Sequence, residues 1–281
     1  MLKHILAAID FSPAWPQLAA QLARLPALGC QRVTLAYVIA EGYTRAPEVR
    51  HRAYYEEKLA GIATQLKQDT GLEVDWTVRV GPVARELVAA AAEQGAGALL
   101  AGSQGHGVIR ELLLGSTVLD LARLADRPLL LAPINGEEAK PLDDICRPLL
   151  ATDGSEAAAG AEAAFLRFLP QCAGGVVVSV GPWLECPGPG DSRACIEGHI
   201  QRLRERAGPP DAFAVELLEE GRPSAEIVRT AEARGADLII LGRRGHNRMT
   251  ELLLGSTAEA VCRASHRLVL LVPAQSAHSG A

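Results

Sequence analysis

The heptapeptide ELLLGST occurs at 111–117 and again at 251–257, 140 positions apart in a chain of 281 residues. A chain that repeats itself at half its own length is constrained first of all to fold as two copies of one unit. The match runs well beyond seven residues. ALLAGSQGHGVIRELLLGSTVLDLARLADRPLLLAP (Ala98–Pro133) corresponds to LIILGRRGHNRMTELLLGSTAEAVCRASHRLVLLVP (Leu238–Pro273). The beginnings correspond too: HILAAIDFSPAW (His4–Trp15) and RPLLATDGSEAA (Arg147–Ala158) are each an apolar run, an Asp, a Ser and an Ala-containing helical start. The copies are therefore expected at 1–135 and 143–275. They are joined by the polar, turn-rich INGEEAKPLDD (Ile134–Asp144), and the tail AQSAHSGA is expected to fray.

Within copy one, strand-like runs at Ile5–Ile9, Arg32–Val38, Glu73–Val80, Ala98–Ala101 and Pro128–Ala132 alternate with helical patterns. These lie near Pro13–Leu28, Glu48–Thr70, Val83–Glu93 and Ser116–Ala125. Copy two repeats the strands at Leu149–Thr152, Val176–Val180, Phe213–Leu218, Asp237–Leu241 and Leu268–Val272. Mostly apolar strands separated by helices imply an α/β fold. Each of two tandem doubly wound domains would hold a mostly parallel five-stranded sheet with helices on both faces. Ligands of such sheets bind beyond the carboxyl ends of the strands, where the strand order reverses.

Composition narrows the function. The net charge of −5, with acids and bases interspersed, excludes the basic footprint of a nucleic-acid binder. No apolar run reaches membrane-spanning length, and MLKHILAAID meets Asp10 too early for a signal peptide, so a cytoplasmic protein is expected. The six cysteines include no Cys-x-x-Cys pair and are expected as thiols, mostly buried.

The strand ends carry the candidate chemistry. The first strand of each copy runs into Asp10 or Asp153, with Ser12 or Ser155 two residues on. The serines read as helix N-caps. The aspartates read either as Asx turns or as acceptors for a ligand amine or hydroxyl. The fourth strands end in Gly102-Ser-Gln-Gly105 and Gly242-Arg-Arg-Gly245, and nine residues later come Gly115-Ser116 and Gly255-Ser256. Glycines let backbone N–H groups turn around an anion, and a helix start adds further donors and a favourable dipole. Ser256-x-x-Glu259 reads as a capping box, with Thr117-x-x-Asp120 a weaker analogue. The pattern is not a P-loop, because no Gly-Lys-Ser/Thr follows, and Gly-x-Gly-x-x-Gly does not follow the first strand.

The pattern Gly-x2-Gly-x9-Gly-Ser, intact twice, resembles that of the universal stress proteins, and the whole chain is similar to two such domains in tandem. The resemblance implies an adenine nucleotide alpha hydrolase-like fold and a regulatory role in the stress response. It implies a nucleotide, ATP or else ADP or AMP, with Mg2+ possible beside it. It assigns Asp10 and Asp153 to the adenosine portion and Val38 and Val180 to the adenine pocket. Gly102, Gly105, Gly115 and Ser116, and Gly242, Gly245, Gly255 and Ser256, would hold phosphates and ribose. It further implies pairing of the copies through their last strands as an intramolecular pseudo-dimer, with a homodimer beyond that. The chain departs from the family pattern at Arg267, where copy one keeps Pro128, and in the Pro/Gly-rich 181–199 region near the second mouth. Arg243 and Arg244 stand where copy one has Ser103 and Gln104, and read either as phosphate partners or as solvent-facing.

No general base is legible, so turnover is expected to be absent or slow and no catalytic residue is assigned. The alternatives are a slow ATPase or self-phosphorylating enzyme, with Ser116 or Ser256 as acceptor, and a scaffold or small-ligand binder that has kept the fold. His106 and His246 read as loop residues. Cys186, Cys195 and His199 form a conceivable soft-metal set that reads better as ordinary surface residues, and no metal site is assigned.

Overall fold

The computed structural model describes residues 1–40, 48–103, 114–134, 146–183, 192–245 and 254–274. The chain divides into two compact units, Met1–Leu142 and Asp143–Ala281. Unit 1 runs β1 (His4–Ala8), α1 (Trp15–Leu22), β2 (Arg32–Ile39), α2 (Glu48–Thr70), β3 (Glu73–Val80), α3 (Val83–Glu93), β4 (Ala98–Gly102), α4 (Ser116–Leu124) and β5 (Leu129–Ala132). Unit 2 repeats it as β6 (Pro148–Ala151), α5 (Ala159–Phe168), β7 (Gly175–Val180), α6 (Ser192–Ala207), β8 (Phe213–Leu218), α7 (Pro223–Ala233), β9 (Leu238–Gly242), α8 (Ser256–Ala264) and β10 (Leu268–Val272).

Unit 1 orders its strands β3-β2-β1-β4-β5 and unit 2 orders them β8-β7-β6-β9-β10. The pairings within each unit are parallel. With right-handed crossovers, reversal of strand order after β3 and β8 sends successive helices to opposite faces. These are two doubly wound α/β domains. The strands inside each unit are buried along almost their whole length, as in ALLAG of β4 and PLLA of β6, because helices cover both faces. The outer strands β3 and β8 differ: most of their positions are exposed or half-buried.

The first helical segment is shorter than its sequence suggests. α1 stops at Leu22, and a separate short turn covers Leu25–Leu28. Pro26 has no N–H to continue the ladder, and Gly29 closes the turn at φ 78°.

Candidate functional site

The reversal point lies between β1 and β4 in unit 1 and between β6 and β9 in unit 2, and both strand pairs are in register there. Beyond β6, the Oδ1 of Asp153 accepts the Ser155 N–H at 3.0 Å; beyond β1, the Oδ1 of Asp10 accepts the Ser12 N–H at 2.9 Å. Each aspartate therefore forms the Asx turn, with one oxygen used for folding. The residue after each is left-handed: Gly154 at φ 71° and Phe11 at φ 52°. The serines are not side-chain caps of the following α-helices. Ser12 accepts the Ala14 N–H at 3.3 Å in the turn before α1, whose cap is Ala14. Ser155 heads a short turn without a side-chain bond, and its buried Oγ has no hydrogen-bond partner.

The glycine loops close from the other side. Gly102 and Gly242 end β4 and β9. The N–H groups of Ser103 and Arg243 donate to the carbonyls of Ala132 and Val272 at 2.8 and 2.9 Å. Gly115 and Gly255 return to donate to the carbonyls of Ser103 and Arg243 at 3.3 and 2.8 Å. Ser103 also accepts the Ile134 N–H on its hydroxyl at 3.1 Å. In unit 2 the fit is tight enough to exclude a side chain. A Cβ on Gly245 would lie 2.7 Å from Asp153 Oδ2, and one on Gly255 would lie 3.2 Å from the Arg243 carbonyl. Asp153, Gly245 and the start of α8 thus converge in one place.

The capping boxes are not formed. Gly115 and Gly255, not the serines, are the N-caps of α4 and α8, and neither helix has a side-chain cap bond. Ser116 and Ser256 occupy the first helical position and are exposed, while Glu259 pairs with Arg263 and Asp120 with Arg123. A helix start without a side-chain cap retains donors suited to an anion. Val38 is buried near the end of β2, and Val180 is the half-buried last residue of β7. Gly105, His106, His246 and most of each ELLL segment lie outside the described residues.

The two mouths differ in chemistry. In unit 1 the Phe11 ring stacks on Tyr55 at 5.5 Å and meets Tyr37 at 4.9 Å, with the Lys58 ammonium 4.7 Å from the Phe11 centroid. In unit 2 the Trp183 indole N–H donates to the buried Ser179 hydroxyl at 3.0 Å. In the same unit, Glu162 of α5 is only 2 % exposed, and its Oε1 lies 2.7 Å from both Thr152 Oγ1 and His199 Nε2. The His199 ring also lies against Gly154, with Cγ 3.5 Å from where a Cβ would stand. Neither group was legible beforehand. The aromatic ring set assembles from three separate elements. Glu162 did carry a signal, as the one acid inside the Ala-rich apolar face of α5.

Of the soft-metal set, Cys186 lies outside the described residues. His199 is engaged by Glu162, and among the described residues no group of three or more His, Cys, Asp or Glu is placed to hold a metal ion. Cys195 is disulfide-bonded, which corrects the expectation of thiols throughout; Cys30, Cys146, Cys172 and Cys262 are free. Among the described residues no helix is long and apolar enough to cross a membrane.

The universal stress protein family matches residues 1–133 and 147–273. The chain belongs to that family. A universal stress protein of Mycolicibacterium smegmatis is 27% identical over 292 residues, spanning 95% of this chain and 96% of that protein. The crystal structure of a universal stress protein from Archaeoglobus fulgidus covers 98% of this chain and 97% of its own at a TM-score of 0.75 and 19% identity, a likeness of fold. Another universal stress protein, solved in complex with cAMP, matches 46% of this chain and 98% of its own at 23% identity and a TM-score of 0.36.

Proposed function

We propose that each of the two domains, 1–135 and 143–275, binds an adenine nucleotide, ATP with its Mg2+ being the best fit, and that the bound state is the output of a regulatory stress protein. The observation that supports this most is the convergence in unit 2 of the Asp153 carboxylate, the Gly245 turn and the uncapped start of α8 at the point where strand order reverses. A phosphate-bearing ligand suits that donor set, since backbone N–H groups and a helix start face it and a side chain at Gly245 would close it. Asp153 and Asp10 would take the nucleoside end, beside Val180 and Val38. Gly242, Gly245, Gly255 and Ser256, with Gly102, Gly105, Gly115 and Ser116 in unit 1, would hold ribose and phosphates. Mg2+ would be held chiefly by the phosphates and water, as this ion prefers. Its chemistry would be neutralisation of phosphate charge.

The protein would act in the cytoplasm, as a pseudo-dimer or a homodimer of it. Regulation rather than turnover is the reading that fits an Asp with one oxygen spent on its Asx turn and a Glu162 held in a buried pair. The test is to denature the purified protein, identify any released nucleotide by chromatography, and titrate the refolded or apo chain with ATP and with cAMP. Recovery of adenine nucleotide with saturable binding supports the reading. No release, together with no binding at millimolar ATP, overturns it. Transfer of γ-labelled phosphate to Ser116 or Ser256 would replace it with the self-phosphorylating enzyme.

A further inference from the structure

The two units place a cysteine at the same point of the fold, and only unit 2 gives it a thiol neighbour. In unit 1, Cys30 follows the short turn Leu25–Leu28 and donates its N–H to the Leu25 carbonyl at 3.1 Å. Its Sγ reaches the Arg32 carbonyl at 3.3 Å and that of Lys3 at 3.9 Å. In unit 2, Cys172 follows the short turn Leu169–Gln171 and donates its N–H to the Leu169 carbonyl at 3.1 Å. The strand register makes the two positions equivalent. Ile9 N–H bonds the Ala36 carbonyl in unit 1 and Thr152 N–H bonds that of Val178 in unit 2. Counting back along each strand, Cys30 falls on Cys172 and Lys3 falls on Cys146. Where unit 1 sets its cysteine against a lysine backbone, the register of unit 2 sets it against a second cysteine at the start of the neighbouring strand, and the Cys146 side chain acts on the Cys172 thiol.

Both are free thiols, Cys146 buried and Cys172 half-buried. The Cys146 hydrogen bond holds the Cys172 thiol below its ordinary range, against the opposing effects of burial and of the Asp237 carboxylate. The other free thiols go the opposite way. Burial pushes Cys30 up to about 11 and Cys262 up to about 12. A half-buried thiol beside a buried one at the start of the neighbouring strand is how a reactive and a resolving cysteine are arranged.

We propose that Cys172 and Cys146 form a redox modification site whose substrate is a hydroperoxide. The Cys172 sulfur attacks the peroxide oxygen, the O–O bond breaks, and water or an alcohol leaves with the thiol proton, giving a sulfenic acid on Cys172. The Cys146 sulfur then attacks the Cys172 sulfur. The S–O bond breaks, the hydroxyl leaves as water with the Cys146 proton, and an intramolecular disulfide remains. The two electrons of the thiol pair have reduced one hydroperoxide. The site lies at the amino ends of β6 and β7, the opposite end of the sheet from the candidate nucleotide loops, so it stands or falls independently of them.

The experiment treats the full chain with hydrogen peroxide, removes the peroxide with catalase, blocks remaining thiols with iodoacetamide in denaturant at alkaline pH, and maps peptides without reduction. The expected product is a Cys146–Cys172 linked peptide, with Cys30 and Cys262 still alkylated. Cys146→Ser should leave a Cys172 sulfenic acid that dimedone labels, and Cys172→Ser should leave Cys146 unoxidised, circular dichroism confirming the fold of each. Should either variant not fold, the native chain answers alone: Cys172 should alkylate about tenfold faster than Cys30 at neutral pH. Equal rates, a pair that stays alkylatable after peroxide, or a Cys172 that links only to another chain would each overturn the proposal.

Discussion

At the residue scale, Glu162 shows what a buried charge needs. Burial by itself would raise its carboxyl. The hydrogen bonds from His199 and Thr152, with the charges of His199 and Arg206, outweigh burial and hold it below the usual range. A folded carboxyl with a depressed pKa contributes stability above its unfolded value of roughly 4.3, and that contribution is lost as pH falls through the lower folded value. Glu162→Gln should therefore cost about 1–3 kcal/mol at pH 7, with the deficit shrinking toward pH 3. His199→Ala strands the buried carboxylate and should cost about 3–5 kcal/mol. Urea unfolding between pH 3 and 8 measures both, and a Glu162→Gln deficit that stays constant over that range would refute the account. Gly245 is the second such residue. Its glycine pattern was legible, but the sequence pointed to the phosphate as the reason for it. The structure adds that the nearest obstacle to a Cβ is the Asp153 carboxylate at 2.7 Å. Gly245→Ala should push that carboxylate aside and remove ligand binding from unit 2, with binding by unit 1 retained in calorimetric titration.

At the scale of the element, the strands were legible almost to the residue, because apolar runs bounded by Gly, Asp and Pro leave one register that buries them. What a linear reading missed depends on neighbours distant in sequence. The Ser256–Glu259 spacing fits a capping box, yet Glu259 turns to Arg263 and Gly255 takes the cap. The single helix expected over Pro13–Leu28 breaks at a proline whose effect is local and could have been read. Docking of α5 on its sheet rests on a contact that spacing alone does not reveal. Phe165 is fully buried, packs edge-on to Phe213 at 5.7 Å, and sits over Gly175 at the start of β7. A Cβ on Gly175 would fall 2.6 Å from Phe165 Cζ and 2.7 Å from Leu169 Cδ2. Gly175→Ala should destabilise by about 1–3 kcal/mol through overpacking. Phe165→Ala should cost about 3–5 kcal/mol through the cavity it leaves. The two residues share one space, so Gly175→Ala combined with Phe165→Leu should cost less than the sum of the single changes. Additive costs in denaturant unfolding would show that α5 adjusts independently of β7.

At the scale of the whole molecule, duplication has preserved a backbone while letting its mouths diverge. The Asx turns, the glycine-bounded strand ends and the glycine-capped last helices recur in both units with the same bonding pattern. The side chains around them do not: Phe11, Tyr37, Tyr55 and Lys58 gather in one unit, and in the other Trp183 bonds Ser179 while His199 pairs with the buried Glu162. If the repeated backbone is what holds phosphate, both units bind, and the differing side chains set two affinities rather than one. Calorimetry with ATP should then give two sites per chain in the parent. Asp10→Ala and Asp153→Ala should each remove one site, and the double variant both. Trp183 supplies the assignment. Its indole is bonded to Ser179, beside Val180 at the end of β7, so its emission should follow ligand only while Asp153 is intact. Occupancy that falls in both units when a single aspartate is changed would mean that the units respond together. A parent that binds one ATP would mean that one of the diverged mouths has given up the ligand its backbone still suits.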